Sequence, residues 1–181
     1  MTAELGLAAL WLAAALAVLQ LVAGALAVRQ DAASGETGIA DLTRPATIVQ
    51  GVFAALSFIA LLYVFAITDL SVKLVADNSH SLKPMIYKLS GAWGNHEGSM
   101  LLWVTVLAAS GALIALVERR LPERTMQAVL AAQGFVAVGF YAFLLLSSNP
   151  FERLPVPAEE GAGLNPLLQD IGLAFHPPTL Y

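Results

Sequence analysis

No cysteine occurs among the 181 residues, which removes disulfides, thiolate metal sites, thiol redox chemistry and any thiol able to carry a covalently attached cofactor. Charge is scarce too. Asp, Glu, Lys and Arg make up 12% of the chain, against about 25% in an average soluble domain. The few cations form no long run and the formal net charge is −4, so the clustered Lys and Arg that displace counterions from a nucleic acid are missing. Nucleic-acid binding is thereby excluded. Internal repeats and low-complexity segments are absent as well. What the chain has in quantity is apolar surface: 58% of it is hydrophobic and its mean hydropathy is +0.74. That composition is a membrane protein's.

Uncharged stretches long enough to cross a hydrocarbon core of about 30 Å run from Leu5 to Val28, Ala46 to Ile67, Met100 to Val117 and Met126 to Leu146. In lipid an isolated span satisfies its backbone internally only as a helix, so the expected fold is all-α, a polytopic bundle with four transmembrane helices. Gly24, Ser57, Ser110, Gly111, Gly134 and Gly139, with the amides Gln20, Gln50 and Gln133, suit close packing and interhelical hydrogen bonds. Ala23 to Ala27 has small residues like those of a signal-peptide cleavage site. The segment before it carries Glu4 and no Lys or Arg, and its apolar run is too long for such a peptide. The first span therefore reads as a retained helix.

Orientation follows from the basic residues. The short first and third connections hold Arg29, Arg44, Arg119, Arg120 and Arg124, whereas the longer opposite segments hold only Lys73, Lys83, Lys88 and Arg153. The arginine-bearing loops are expected in the cytoplasm, and both termini on the outer face, the periplasm of a Gram-negative cell. The chain then divides into a four-helix module, 1–146, with an outer loop at 68–99, and an outer tail, 147–181.

Two outer segments carry chemistry. In AWGNHEGSMLLW, Ala92 to Trp103, the third helix is expected to begin a turn before Met100, with Asn95 or Ser99 as its N-cap and Glu97 at the positive end of its dipole. Trp93 and Trp103 bracket the interfacial zone that indoles favour. Two readings stand side by side here. Either the cluster only anchors and caps a helix, or Trp93, His96 and Glu97 border a surface for a planar, amphipathic ligand. Zinc is not indicated, because the position four after His96 is Met100 rather than histidine.

The tail reads NPFERLPVPAEEGAGLNPLLQDIGLAFHPPTLY. Pro150, Pro155 and Pro157 predict an extended path, and Asn165 followed by Pro166 predicts the start of a short helix. Leu167, Leu168, Ile171 and Phe175 fall near one face of it, as in a helix lying at a membrane interface. Pro177 and Pro178 predict an extended backbone at His176. The histidine so presented is either an axial metal or haem ligand or the end of an amphipathic turn. His80, in a polar loop, carries no comparable signal.

Three tracts, AWGNHEGSMLLWV, the Ser147–Tyr181 tail with its NPLLQD and HPP elements, and Tyr63 to Ala66, are similar to the CcmF/NrfE family, the haem lyase subunits of cytochrome c biogenesis. The resemblance spans essentially the whole chain. It implies an inner-membrane bundle that handles haem on its periplasmic face and assists covalent attachment of that haem to apocytochrome c. It also implies a haem chaperone and other maturation subunits as partners. By resemblance His176 corresponds to the first of the family's periplasmic haem-ligating histidines, which flank a tryptophan-rich platform, and the haem is a transient one shared with residues outside this chain. The platform, the second periplasmic histidine and the family's intramembrane histidines have no counterpart here, and none of the four spans contains a histidine. The chain is thus expected to be the N-terminal part of such a protein, a fragment or a split-gene product, and not catalytically competent alone. Rival classes are a structural assembly subunit, which needs no outer histidine ligand, and a transporter subunit, which calls for ionisable residues at mid-membrane that these spans lack.

Overall fold

A computed structural model describes residues 1–29 and 38–179. Its long helices are α1 (Thr2–Arg29), α2 (Thr43–Ala66), α5 (His96–Val117) and α6 (Glu123–Leu146), with three short ones, α3 (Lys73–Asn78), α4 (Met85–Gly91) and α7 (Ile171–Thr179). Among the described residues there is no strand, only one antiparallel bridge between Val72 and Arg153. The four long helices are long and apolar enough to cross a membrane, and each extends one to four residues beyond the uncharged run that predicts it at one end or both. The polar residues added at the ends, such as Glu123 and Arg124, continue the helical hydrogen bonding.

The chain divides into two compact units. One comprises Ala9–Ala55 and Val104–Ala142, which take in most of α1 and α6, the first half of α2 and the latter part of α5. Its buried positions are mostly small, among them Ala13, Ala17, Ala54, Ala108 and Ala137, so that helices approach closely. A Cβ built on Gly51 would lie 2.7 Å from that of Ala112, which is the close approach small residues permit. Amides bridge the helices. The Gln20 side chain donates to Gln133 Oε1 (2.6 Å) and to the Leu130 carbonyl (2.7 Å), and Gln133 donates to the Leu107 carbonyl (2.7 Å). At the far end Arg44 donates to the carbonyls of Ala115 (3.0 Å) and Glu118 (3.2 Å), placing a cation where the last turn of α5 leaves acceptors unsatisfied.

The second unit comprises Met1–Ala8, Leu56–Trp103 and Phe143–Tyr181. Larger side chains fill it, including Phe65, Leu101, Leu144, Phe151 and Leu164. Helix α2 ends with paired bonds from the Thr68 amide to Phe65 (3.1 Å) and the Asp69 amide to Val64 (2.9 Å), with Thr68 at φ 55°. This is the Schellman stop, made here with a β-branched residue where glycine is usual. Outside the long helices the segment after α6 runs beside the connection after α2. Main-chain bonds join Lys73 to Glu152 (2.9 Å), Leu154 to Ser71 (2.9 Å) and Ala162 to Ala76 (2.7 Å). Arg153 adds ion pairs with Glu4 (2.6 Å) and Asp69 (3.3 Å).

The tail departs from the expected single helix. Pro166–Gln169 forms a 3₁₀ turn capped by Asn165, whose side chain accepts from the Leu167 amide. Asp170 then turns extended (φ −92°, ψ 137°) and caps α7 by accepting from the Leu173 amide at 3.1 Å. The stripe Leu167, Leu168, Ile171 and Phe175 is therefore cut in two at Asp170. His176 differs as well, because it is helical and not extended. Proline at the next position disfavours helical dihedrals without forbidding them, and the donors removed by Pro177 and Pro178 belong to the last turn of a short helix. One of the two carbonyls so deprived, that of Ala174, takes a bond from elsewhere in the unit, the Trp93 indole.

Candidate functional site

The AWGNHEGS segment links α4 to α5. Asn95 is the N-cap of α5: its Oδ1 accepts from the Gly98 amide at 2.7 Å, while its Nδ2 donates to the Gly91 carbonyl at 2.6 Å. One side chain thus closes the end of α4 and opens α5. Gly98 has to be glycine, since a Cβ there would sit 1.6 Å from the Ala92 carbonyl oxygen. The expected early start of the third helix, the Asn95 cap and Glu97 in the first turn are all present.

Trp93, His96, Met100, Trp103 and Leu168 line a groove of about 570 Å³ with a mainly apolar surface. The two indoles and the thioether of that lining suit a flat, largely apolar ring system. His96 is exposed at its edge; its Nδ1 lies 3.0 Å from Ser148 Oγ, and its ring meets Phe143 edge-on at 5.5 Å. That leaves Nε2 as the nitrogen open to a further contact. Glu97, one helical step of about 100° further round, does not line this groove. It belongs to a small polar recess with Lys73, Asp77, Asn149 and Glu152. Of the three residues expected to border a ligand together, the structure unites Trp93 and His96 and separates Glu97.

His176 is exposed on α7 and is not among the groove-lining residues. Its helix is nonetheless connected to the groove, because Trp93 Nε1 donates to the Ala174 carbonyl at 2.7 Å and Ala174 is buried. The remaining faces of the segment are apolar and open: Leu167, Ile171, Leu173 and Phe175 are all exposed. Among the described residues no three His, Asp or Glu side chains gather as a metal site. The exposed imidazoles here are two, His176 on α7 and His96 beside the groove.

Around these residues lies a set of contacts that sequence spacing does not reveal. Ser81 donates to Glu160 through both its hydroxyl and, at 3.1 Å, its amide, and the Glu160 carboxyl is held down to about 2, chiefly by the hydroxyl and then by the Gly161 and Ser81 amides. His80 stands 3.9 Å from the same carboxylate. Burial works to raise Asp69, but hydrogen bonds from Ser71 and the Arg153 charge outweigh it and hold that carboxyl below its ordinary range. Burial lowers the Lys83 ammonium, whose Nζ has no hydrogen-bond partner.

A bundle of apolar helices carrying a polar connection and a capped tail is an integral membrane protein, and residues 93–181 match the family of cytochrome C assembly proteins. That match begins just before α5 and takes in just under half of the chain. Over its whole length the chain is 50% identical to the cytochrome c-type biogenesis protein CycK of Rhizobium meliloti, of which it covers 26%. It is 44% identical to the cytochrome c-type biogenesis protein CcmF of Haemophilus influenzae, again over all of this chain and covering 28% of that one. A solved structure of the cytochrome c heme lyase CcmF superposes with a TM-score of 0.76 at 26% identity, covering 84% of this chain and 25% of that chain. The chain spans about a quarter of the length of the curated relatives it matches and corresponds to their N-terminal part.

Proposed function

We propose that this chain serves cytochrome c maturation as a haem-handling membrane module, with haem as cargo in transit. What carries the reading is an exposed histidine on a short helix that is tied to an indole-lined groove, in a chain homologous over its length to cytochrome c-type biogenesis proteins. His176 supplies one neutral imidazole to the iron, and a histidine outside this chain takes the opposite position. Trp93, Met100 and Trp103 offer an apolar wall for the porphyrin, with His96 at its margin; Glu97 is left to the helix dipole and its polar recess. Thioether formation is chemistry of haem and the acceptor thiols, while the protein supplies orientation and electrostatics. A haem chaperone, other maturation subunits and apocytochrome c are the partners, in the bacterial inner membrane with both termini periplasmic, the orientation favoured by the arginines of the first and third connections.

The test is His176→Ala in the complete maturation system. Cytochrome c yield is expected to vanish while membrane insertion persists, and added imidazole, which fills a vacated axial position, restores part of it. His96→Ala retains most of the yield. Normal maturation by His176→Ala would favour the second reading, a structural assembly subunit without haem ligation, which the engagement of His96 by Ser148 and Phe143 also suits. Reporter fusions at Gly38 and Gly161 check orientation; cytoplasmic activity at Gly161 would reverse it.

A further inference from the structure

In a regular α-helix the carbonyl of residue 174 accepts from the amide of residue 178. Residue 178 is proline and has no amide hydrogen, so α7 contains a carbonyl that its own backbone leaves unsatisfied. Ala174 is buried, and a buried orphan carbonyl costs free energy unless another donor is found. The donor is Trp93 Nε1, at 2.7 Å, from the connection between α4 and α5, 81 positions earlier in the chain. The second helical consequence is directional. Residues two apart on a helix point about 200° from each other, so fixing Ala174 inward turns His176 outward, and His176 is exposed.

From this we infer that Trp93 is a positioning residue for His176: its indole N–H locks α7 through the carbonyl that Pro178 vacates, and so sets the direction in which the imidazole is presented. The inference rests on the reading of His176 as a haem ligand, but the lock can be observed without haem. It assigns Pro178 the role of keeping the Ala174 acceptor free, and it makes Trp93 more than a wall of the groove, since a phenyl ring would serve as wall yet has no hydrogen to donate. Gly94, beside the tryptophan, allows the approach. A Cβ there would lie 3.1 Å from Leu168 and 3.2 Å from Leu164 of the tail.

The absence of cysteine from the chain makes spin labelling clean. Nitroxides at Met85→Cys on α4 and Leu173→Cys on α7, in the intact protein in nanodiscs, report the α4–α7 distance distribution by dipolar EPR. With Trp93 present the distribution is expected to be narrow. Trp93→Phe, which keeps the ring and deletes the donor, should broaden it and lower cytochrome c yield by roughly two- to tenfold, the range one net hydrogen bond commands. If Trp93→Phe fails to insert, Pro178→Ala is the second variant. It keeps the indole and adds an amide that competes for Ala174, so it should broaden the distribution in the same sense by less. Narrow distributions in whichever variants insert overturn the lock. Broadening with undiminished yield, where His176→Ala abolishes yield, overturns the claim that the lock orients the ligand. Broadening with full yield in His176→Ala also removes that claim, and then it is the haem-ligand reading that has failed while the lock stands.

Discussion

The two units of the molecule bury different kinds of side chain, and the difference shows in what fastens each. In the unit of Ala9–Ala55 and Val104–Ala142 the buried positions are mostly small, and lipid gives apolar side chains no reason to leave it, so association depends on close contact and on amide bonds such as Gln20 to Gln133. The other unit, with the connection after α2 and the segment after α6, adds main-chain bonds and ion pairs between those two segments and buries large side chains such as Phe65 and Phe151. The candidate site falls in the second unit, where exposure of His96 and His176 is compatible with a fixed backbone.

Glycine substitution should break this contrast open most strongly. Gly98→Ala drives a Cβ into the Ala92 carbonyl and is expected to cost about 3 kcal/mol, the upper end of ordinary overpacking. Gly139→Ala, in the other unit with nothing within 4 Å of its Cβ position, should change stability by less than about 0.5 kcal/mol. Thermal unfolding of both variants in one detergent compares them directly; a Gly98→Ala protein as stable as the parent would mean that the Asn95-capped turn is not rigid.

A smaller effect is expected from Gln133→Leu, which removes the bonds to Gln20 and to the Leu107 carbonyl and should cost about 1 kcal/mol. Gln20 keeps the Leu130 carbonyl, which limits the loss. Titration with a denaturing detergent measures it, and no change would show that the Gln20–Gln133 pair adds nothing to the packing of small residues around it.

The smallest effect is an acid dependence within the second unit. The Glu160 carboxyl, ordinarily near 4.5, stands at about 2 when folded, so its contribution is fully present above 4.5 and is lost as pH falls toward 2. Asp69, also lowered, acts in the same direction. Proteolytic nicking of the 79–83 segment should therefore increase over that acid range, and Glu160→Gln should flatten the dependence. A Glu160→Gln protein with the parental acid response would place the sensitivity elsewhere.

The helices were legible because each needs only length and an absence of charge, and the Asn95 cap because its signal lies within three residues. What the sequence conceals is short or distant. Helices α3 and α4 have no side-chain cap bond at Val72 or Pro84, so nothing marks their starts. The break at Asp170 does have a local signal, an N-cap residue before an apolar run, overridden in the reading by the stronger Asn165–Pro166 pair. Ser148 beside His96 and Ala174 beside Trp93 lie 52 and 81 positions away, beyond any local pattern. The helical state of His176 belongs with these, because the contact that satisfies Ala174 comes from another part of the fold.

The tail's attachment to the connection after α2 is written in main-chain atoms: Lys73 to Glu152, Leu154 to Ser71, Ala158 to Leu70, Ala162 to Ala76, Gly163 to Ser79. Main-chain donors do not depend on side-chain identity, and Pro155, Val156 and Pro157 between them are exposed. The stretch is therefore metered by counting residues and indifferent to much of its spelling. Exchange of an exposed side chain such as Val156 leaves the partners in register, Gly161 being excepted because a Cβ there would meet the Ser79 carbonyl, whereas one inserted residue slips the later amides by about 3.3 Å and carries all that follows with them. Across evolutionary time such a segment is expected to change letters sooner than length, and to act as a ruler that sets how far along the chain the outward histidine stands.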